Sequence, residues 1–137
     1  MPAELVLDAS VAAKVFIPED RSDLAEAVVL SGARLIAPEF VLLELASVAA
    51  KRFRRADIPR SLAQRMIAGA RALFNELVPA SALVDRAFAL AADHGLSAYD
   101  AAYVALAAQR ACELVTADAR LVAKVNADAL PVAIRAL

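Results

Sequence analysis

Cysteine and histidine are almost missing from this chain of 137 residues, which has one of each, Cys112 and His94. A lone cysteine excludes an internal disulfide. With a lone histidine it also excludes a zinc site built from thiolates and imidazoles. Tryptophan is absent, and two Tyr and five Phe are the only aromatic residues, too few for a large base-stacking platform. A surplus of basic charge is lacking too. Fifteen Lys and Arg face sixteen Asp and Glu, for a net charge of −1, which argues against gripping a polyanion through a general basic surface. There is no run of about 18 uncharged apolar residues, so no transmembrane helix is expected. The opening "MPAELVLDAS" places Glu4 and Asp8 in its only apolar run and does not read as a signal peptide.

What is present in excess is apolar side chain, 61% of the chain against about 45–50% in an ordinary globular protein. At this length one domain with a substantial core is expected over residues 1–137. The reading is of a soluble, cytoplasmic protein with some apolar surface covered by another chain. No linker, low-complexity segment or repeat divides it. Short apolar runs alternate with helical ones. Strands are expected at Glu4–Leu7, Arg34–Ala37, Leu77–Val78, Glu113–Thr116 and, at an edge, Pro131–Ile134. Helices are expected at Ser10–Phe16, Ser22–Leu30, Glu39–Arg54, from Pro59 to about Asn75, at Ala82–Asp93 and Ser97–Arg110, and from Asp118 to about Val125. That alternation indicates an α/β layered fold with a mainly parallel sheet.

Four acids stand apart from the rest because their neighbours are apolar. Asp8 closes the strand "ELVL" and Asp118 follows the strand "ELVT", so both fall at carboxyl ends of strands, where open α/β sheets place their sites. Glu44 shares a helix face with Phe40, Val41, Ser47 and Val48. Asp100 shares one with Leu96, Ser97, Tyr103 and Val104. A carboxylate turned toward a core is costly without a cation or hydrogen-bond donors, and pooled carboxylates raise one another's pKa. Plainer roles exist for each: Asp8 and Asp118 as helix N-caps, Asp100 as half of a capping box with Ser97, and Glu44 as a snorkelling or partner-facing side chain. One divalent cation accounts for all four at once, and an oxygen-only ligand set favours Mg²⁺ or Mn²⁺.

The segments "LVLDASVAAKVF", "APEFVLLELASV", "LSAYDAAYVALAA" and "LVTADARL", in this order, resemble the four acidic motifs of PIN-domain ribonucleases, in particular VapC-type toxins of prokaryotic toxin–antitoxin pairs. The resemblance runs from Leu5 to about Leu121. It implies a three-layer α/β/α sandwich. It matches Asp8, Glu44, Asp100 and Asp118 to the family's catalytic, metal-holding quartet. Ser10 and Thr116 match small hydroxyl positions that orient the carboxylates or water. It further implies an RNA substrate, a homodimer, an inhibiting cognate antitoxin, and contact with DNA only through that antitoxin. Ala119, Arg120 and Leu121 stand where some relatives carry a further acid, and Val15 stands where relatives often have Trp.

The chemistry so implied is Mg²⁺- or Mn²⁺-dependent endoribonuclease activity, with metal-activated water attacking the phosphodiester. The competing class is a catalytically silent PIN-like module that binds protein or RNA. A phosphatase is disfavoured, since "LDASV" lacks a paired-aspartate nucleophile motif. Cleavage of DNA stays open. Lys14 and the cluster Lys51, Arg52, Arg54 and Arg55 are candidates for phosphate contact, or are ordinary solvated cations. His94 is expected to end its helix as a cap, Cys112 to be a small buried apolar residue, and Tyr99 and Tyr103 to pack in the core.

Overall fold

The computed structural model describes residues 3–137. Strand β1 (Glu4–Leu7) leads into helices α1 (Ala9–Phe16) and α2 (Ser22–Leu30), then β2 (Arg34–Pro38). Helices α3 (Val41–Arg54) and α4 (Arg60–Leu73) connect β2 to β3 (Glu76–Val78). Helices α5 (Val84–His94) and α6 (Ala98–Arg110) connect β3 to β4 (Glu113–Thr116), and α7 (Ala119–Ala127) connects β4 to β5 (Ile134–Ala136).

All strand pairings are parallel, in the order β3-β2-β1-β4-β5. Parallel strands need crossovers, and right-handed crossovers put α1–α4 on one face and α5–α7 on the other. This is the parallel α/β fold expected from the residue pattern and the α/β/α sandwich implied by the family resemblance. Both faces of the sheet are covered, so its central strands are apolar throughout: Val6, Leu7, Ile36, Ala37, Leu114 and Val115 are fully buried. Helix α6 is buried from Ala101 to Val104 and on to Ala107 and lies against β1, β2 and β4. Its small side chains let it sit close to the sheet, which is one use of the alanine surplus.

Local chemistry sets the boundaries. Gly95 ends α5 in the left-handed conformation (φ 70°) that its lack of a Cβ permits. Asn75 belongs to the sheet rather than to α4. Its amide donates to the Leu35 carbonyl and its side-chain oxygen accepts from the Leu35 amide, both at 2.8 Å. Residues Ala80–Ala82 form a single 3₁₀ turn, so α5 begins two residues later than expected. The last strand is displaced from Pro131–Ile134 to Ile134–Ala136. Proline has no N–H to donate, and the Val132 amide turns back to the Leu130 carbonyl at 2.8 Å; pairing starts only when Leu114 reaches the Ala133 carbonyl.

The two edges of the sheet differ in their charge. At the amino edge, Glu4, Arg34, Glu76 and Arg110 form one network: Arg34 lies 3.3 Å from Glu4 and 3.8 Å from Glu76, and Arg110 bridges the same two acids. Glu113 is paired with Arg135 at 3.0 Å. Near the carboxyl edge, Asp8, Glu44, Asp100 and Asp118 make no such ion pair among the described residues.

Candidate metal centre at the carboxyl edge

Strand order reverses at β1, whose neighbours β2 and β4 lead away in opposite directions. The crevice beyond the carboxyl ends of such strands is where open α/β sheets bind ligands. Asp8 stands immediately after β1 and Asp118 two residues after β4. Glu44 and Asp100 lie in the first turns of α3 and α6, the helices that start above the same edge.

Asp8 is buried and held by three donors. The Ser10 hydroxyl donates to Oδ1 at 2.5 Å, the Val11 amide donates to Oδ1 at 3.2 Å, and the Thr116 hydroxyl donates to Oδ2. Both hydroxyls also accept, Ser10 from the Ala117 amide and Thr116 from the Asp118 amide, each at 3.0 Å. Thus two side chains lock the end of β1 to the loop after β4. Glu44 accepts from the Tyr103 hydroxyl at 2.6 Å. Tyr103 is itself fixed by edge-to-face packing on Phe40, with ring centroids 5.4 Å apart.

The plainer roles are partly realised. Asp8 caps α1 through Val11, and Asp118 caps α7 by accepting from Arg120 and Leu121 at 3.0 and 3.3 Å. Ser97 caps α6 by accepting from the Asp100 amide, while the return bond of a capping box is absent among the described residues. Capping uses Asp118 Oδ1 alone and leaves Glu44 unexplained.

Electrostatically the four form a chain of like charges. Burial pushes the Asp8 carboxyl up, against the lowering effect of its donors, and Asp100 adds repulsion. Burial raises Glu44, with Asp8 and Asp100 repelling it and Tyr103 opposing the rise. Asp100 is raised by burial and then by Asp118, with Ser97 and Arg120 acting the other way. None of the four has a Lys, Arg or His within ion-pair distance among the described residues. Nor, among these residues, do three or more acids, histidines or cysteines converge into a preformed ion cage. The donor chemistry suits a hard divalent cation: carboxylate oxygens only, mutually repelling and without an ion-pair partner among the described residues.

Raised carboxyls give a definite pH dependence. A group whose folded-state pKa is raised contributes stability below its unfolded pKa and loses it as pH rises through the folded value. The metal-free protein is therefore expected to gain stability as pH falls from neutral through the raised carboxyl values toward their ordinary values of 3.8 and 4.5. Asp128, lowered by His94 and Lys124, works in the opposite sense, but only near and below its ordinary value of 3.8. Melting curves across this range with chelator present check the sign. A stability maximum at neutral pH contradicts it.

Tyr103 is the residue that sequence reasoning missed as part of the site. It is indeed buried, but its hydroxyl reaches Glu44. The available signal was its position three residues after Asp100, on the same helix face. His94 does not act simply as a cap: its Nδ1 lies 2.9 Å from Asp128, tying the end of α5 to the end of α7. Tyr99, expected in the core, is 59% exposed.

The PIN-domain family model matches residues 5–127 of this chain. The chain belongs to the PIN-domain family. This PIN domain is 36% identical over 130 residues to ribonuclease VapC3 of Pyrobaculum aerophilum, covering 93% of this chain and 99% of that protein. Its fold matches the crystal structure of PAE2754 from the same organism, with a TM-score of 0.73 at 23% identity, over 96% of this chain and 83% of that one. It also matches VapBC-5 of Mycobacterium tuberculosis, a member of the VapBC family of toxin–antitoxin systems, with a TM-score of 0.55 at 22% identity, over 99% of this chain and 98% of that one. No helix among the described residues is long and apolar enough to cross a membrane.

Proposed function

We propose that this PIN domain is a VapC-type endoribonuclease, the toxin of a toxin–antitoxin pair, and that it hydrolyses RNA phosphodiesters with Mg²⁺ or Mn²⁺. The observation that carries this reading is the contrast between the two sheet edges. Acids at the amino edge are paired with arginines, whereas Asp8, Glu44, Asp100 and Asp118 make no ion pair among the described residues, and Asp8, Glu44 and Asp100 are each repelled by others of the four. Similarity to ribonuclease VapC3 supports the same activity.

In this reading Asp8, Glu44, Asp100 and Asp118 hold the cation. When bound, it supplies Lewis acidity to water and to the phosphoryl oxygens. The chain's own residues set the geometry. Ser10 and Thr116 fix both oxygens of Asp8, and Tyr103 fixes one oxygen of Glu44. Thr116 also holds the backbone that presents Asp118. Products with 5′-phosphate and 3′-hydroxyl ends are expected.

The test is incubation of purified protein with RNA and Mg²⁺, with and without chelator. Cleavage that stops with chelator supports the proposal, and chelator-resistant cleavage contradicts it. Tyr103→Phe is expected to lower cleavage about tenfold. Its melting temperature should move little, since Glu44 is only half-buried and water can replace the lost donor. Cleavage at the wild-type rate would remove Tyr103 from the site.

A catalytically silent binding module is the second reading, favoured by the lack of a preformed ion cage among the described residues. It differs in showing RNA or protein binding without Mn²⁺-dependent stabilisation. The partner proposed for the toxin is a cognate antitoxin, supported by the fold shared with VapBC-5, with DNA reached only through that partner. Homodimer formation is part of the same proposal. The exposed side chains Val84 and Phe88 on α5 and Tyr99 on α6 offer apolar surface for it.

A further inference from the structure

Helices α1 and α3 lie side by side, and a cavity of about 510 Å³ opens along them from the carboxyl edge. Ser10, Glu44, Lys14, Glu19 and Ser47 line it. Lys14 is one turn beyond Ser10 on α1. Arg52 is two turns beyond Glu44 on α3, about 12 Å along the helix axis.

These two cations converge on one acid. Glu19, in the loop between α1 and α2, accepts from Lys14 at 3.4 Å through Oε1 and from Arg52 through Oε2. Lys14 also donates to the Asp20 carbonyl at 2.8 Å. Lysine and arginine on a small domain normally extend into water. Here the Lys14 side chain is only 15% exposed and that of Arg52 31%. Two positive charges share one carboxylate, so the cluster keeps an excess positive charge next to a strongly acidic edge. A carboxylate spanning two cations has the shape and charge of a phosphate contact.

We propose that Lys14 and Arg52 form a seat for an RNA backbone phosphate neighbouring the one that reacts, with Glu19 as the internal competitor for it. This rests on the RNA reading above and specifies how the strand is held. A near-neutral protein with an acidic site needs local cations to bring a polyanion to that edge; Lys14 and Glu19 line the cavity that leads there, and Arg52 is joined to them through Glu19. Glu19 keeps them positioned while no strand is bound, and the phosphate displaces it.

The test is binding of a fluorescent, mixed-sequence, single-stranded RNA oligonucleotide in chelating buffer, so that no metal contributes. Lys14→Gln and Arg52→Gln are each expected to weaken binding about five- to tenfold, equally across sequences, and to reduce the salt slope by about 0.7 per charge removed. Arg52→Lys should restore most of the loss. Glu19→Gln should tighten binding about threefold, because it removes the competitor. That sign separates a seat from a mere strap on the α1–α2 loop. If Glu19→Gln weakens binding and lowers the melting temperature, or if the wild type does not bind RNA without metal, the proposal is overturned. Unchanged RNA affinity in Arg52→Gln overturns it equally, whether or not the cluster then serves a protein partner. Separate cleavage assays with Mg²⁺ distinguish the two readings. The expected affinity changes without cleavage would leave the seat standing and remove the nuclease, and cleavage with unchanged affinities would do the reverse.

Discussion

Replacing Asp100 by asparagine should abolish RNA cleavage, lowering the rate by about 10²–10⁴-fold, while leaving the fold intact. The substitution conserves shape and removes one charge from a set whose members repel one another. Asp100 is raised by burial and by Asp118, and it in turn raises Asp8 and Glu44. Asp100→Asn is therefore expected to stabilise the metal-free protein at neutral pH by a few degrees in melting temperature, while it damages catalysis. Opposite effects on stability and activity are expected where a site stores repulsion for a cation. The checks are single-turnover cleavage with Mg²⁺ and a melting curve with chelator. Wild-type cleavage, or a lower melting temperature at neutral pH, would contradict the reading of Asp100 as a cation ligand.

Thr116→Val is expected to be the most damaging single change to the scaffold of the site. Thr116 has no exposed surface, and its hydroxyl both donates to Asp8 and accepts from the Asp118 amide. Valine has nearly the same shape and neither capacity. A buried carboxylate loses a donor and a part-buried amide loses its acceptor, each costing about 1–3 kcal/mol. A destabilisation of about 2–4 kcal/mol is expected in denaturant unfolding, with cleavage lower by about 10–100-fold. Thr116→Ser keeps the hydroxyl and should recover most of the activity despite the lost methyl group. If valine is tolerated as well as serine, the hydroxyl is not what holds the two acidic positions together.

Local pattern was enough to read β1 and β4 and the acids that follow them. "ELVL" and "ELVT" are short apolar runs ending in turn-forming residues, and each becomes a buried parallel strand. Ser10, like Thr116, was placed beside Asp8 only by the family resemblance, although its bond to Asp8 is local in the chain. The role of Thr116 was suggested only by family resemblance, since its bond to Asp8 spans 108 positions and depends on β1 pairing with β4. Tyr103 was read as core because burial says nothing of where a phenol places its hydroxyl. The meeting of Lys14, Glu19 and Arg52 was hidden for the same reason: it requires α1 to pack on α3. The edge strand was misplaced because Pro131 looked like its start, whereas pairing begins only once the chain has turned past it.

The carboxylates at this edge are proposed to form a cation site, and a thermal-shift titration with Mn²⁺, comparing the wild type with Asp100→Asn, is the decisive test. For the wild type, stability should rise with metal concentration, approaching about 2.7 kcal/mol at one hundred times the dissociation constant. The variant should start from a higher melting temperature without metal and respond far less. No response in the wild type, or equal responses in both proteins, would contradict the claim.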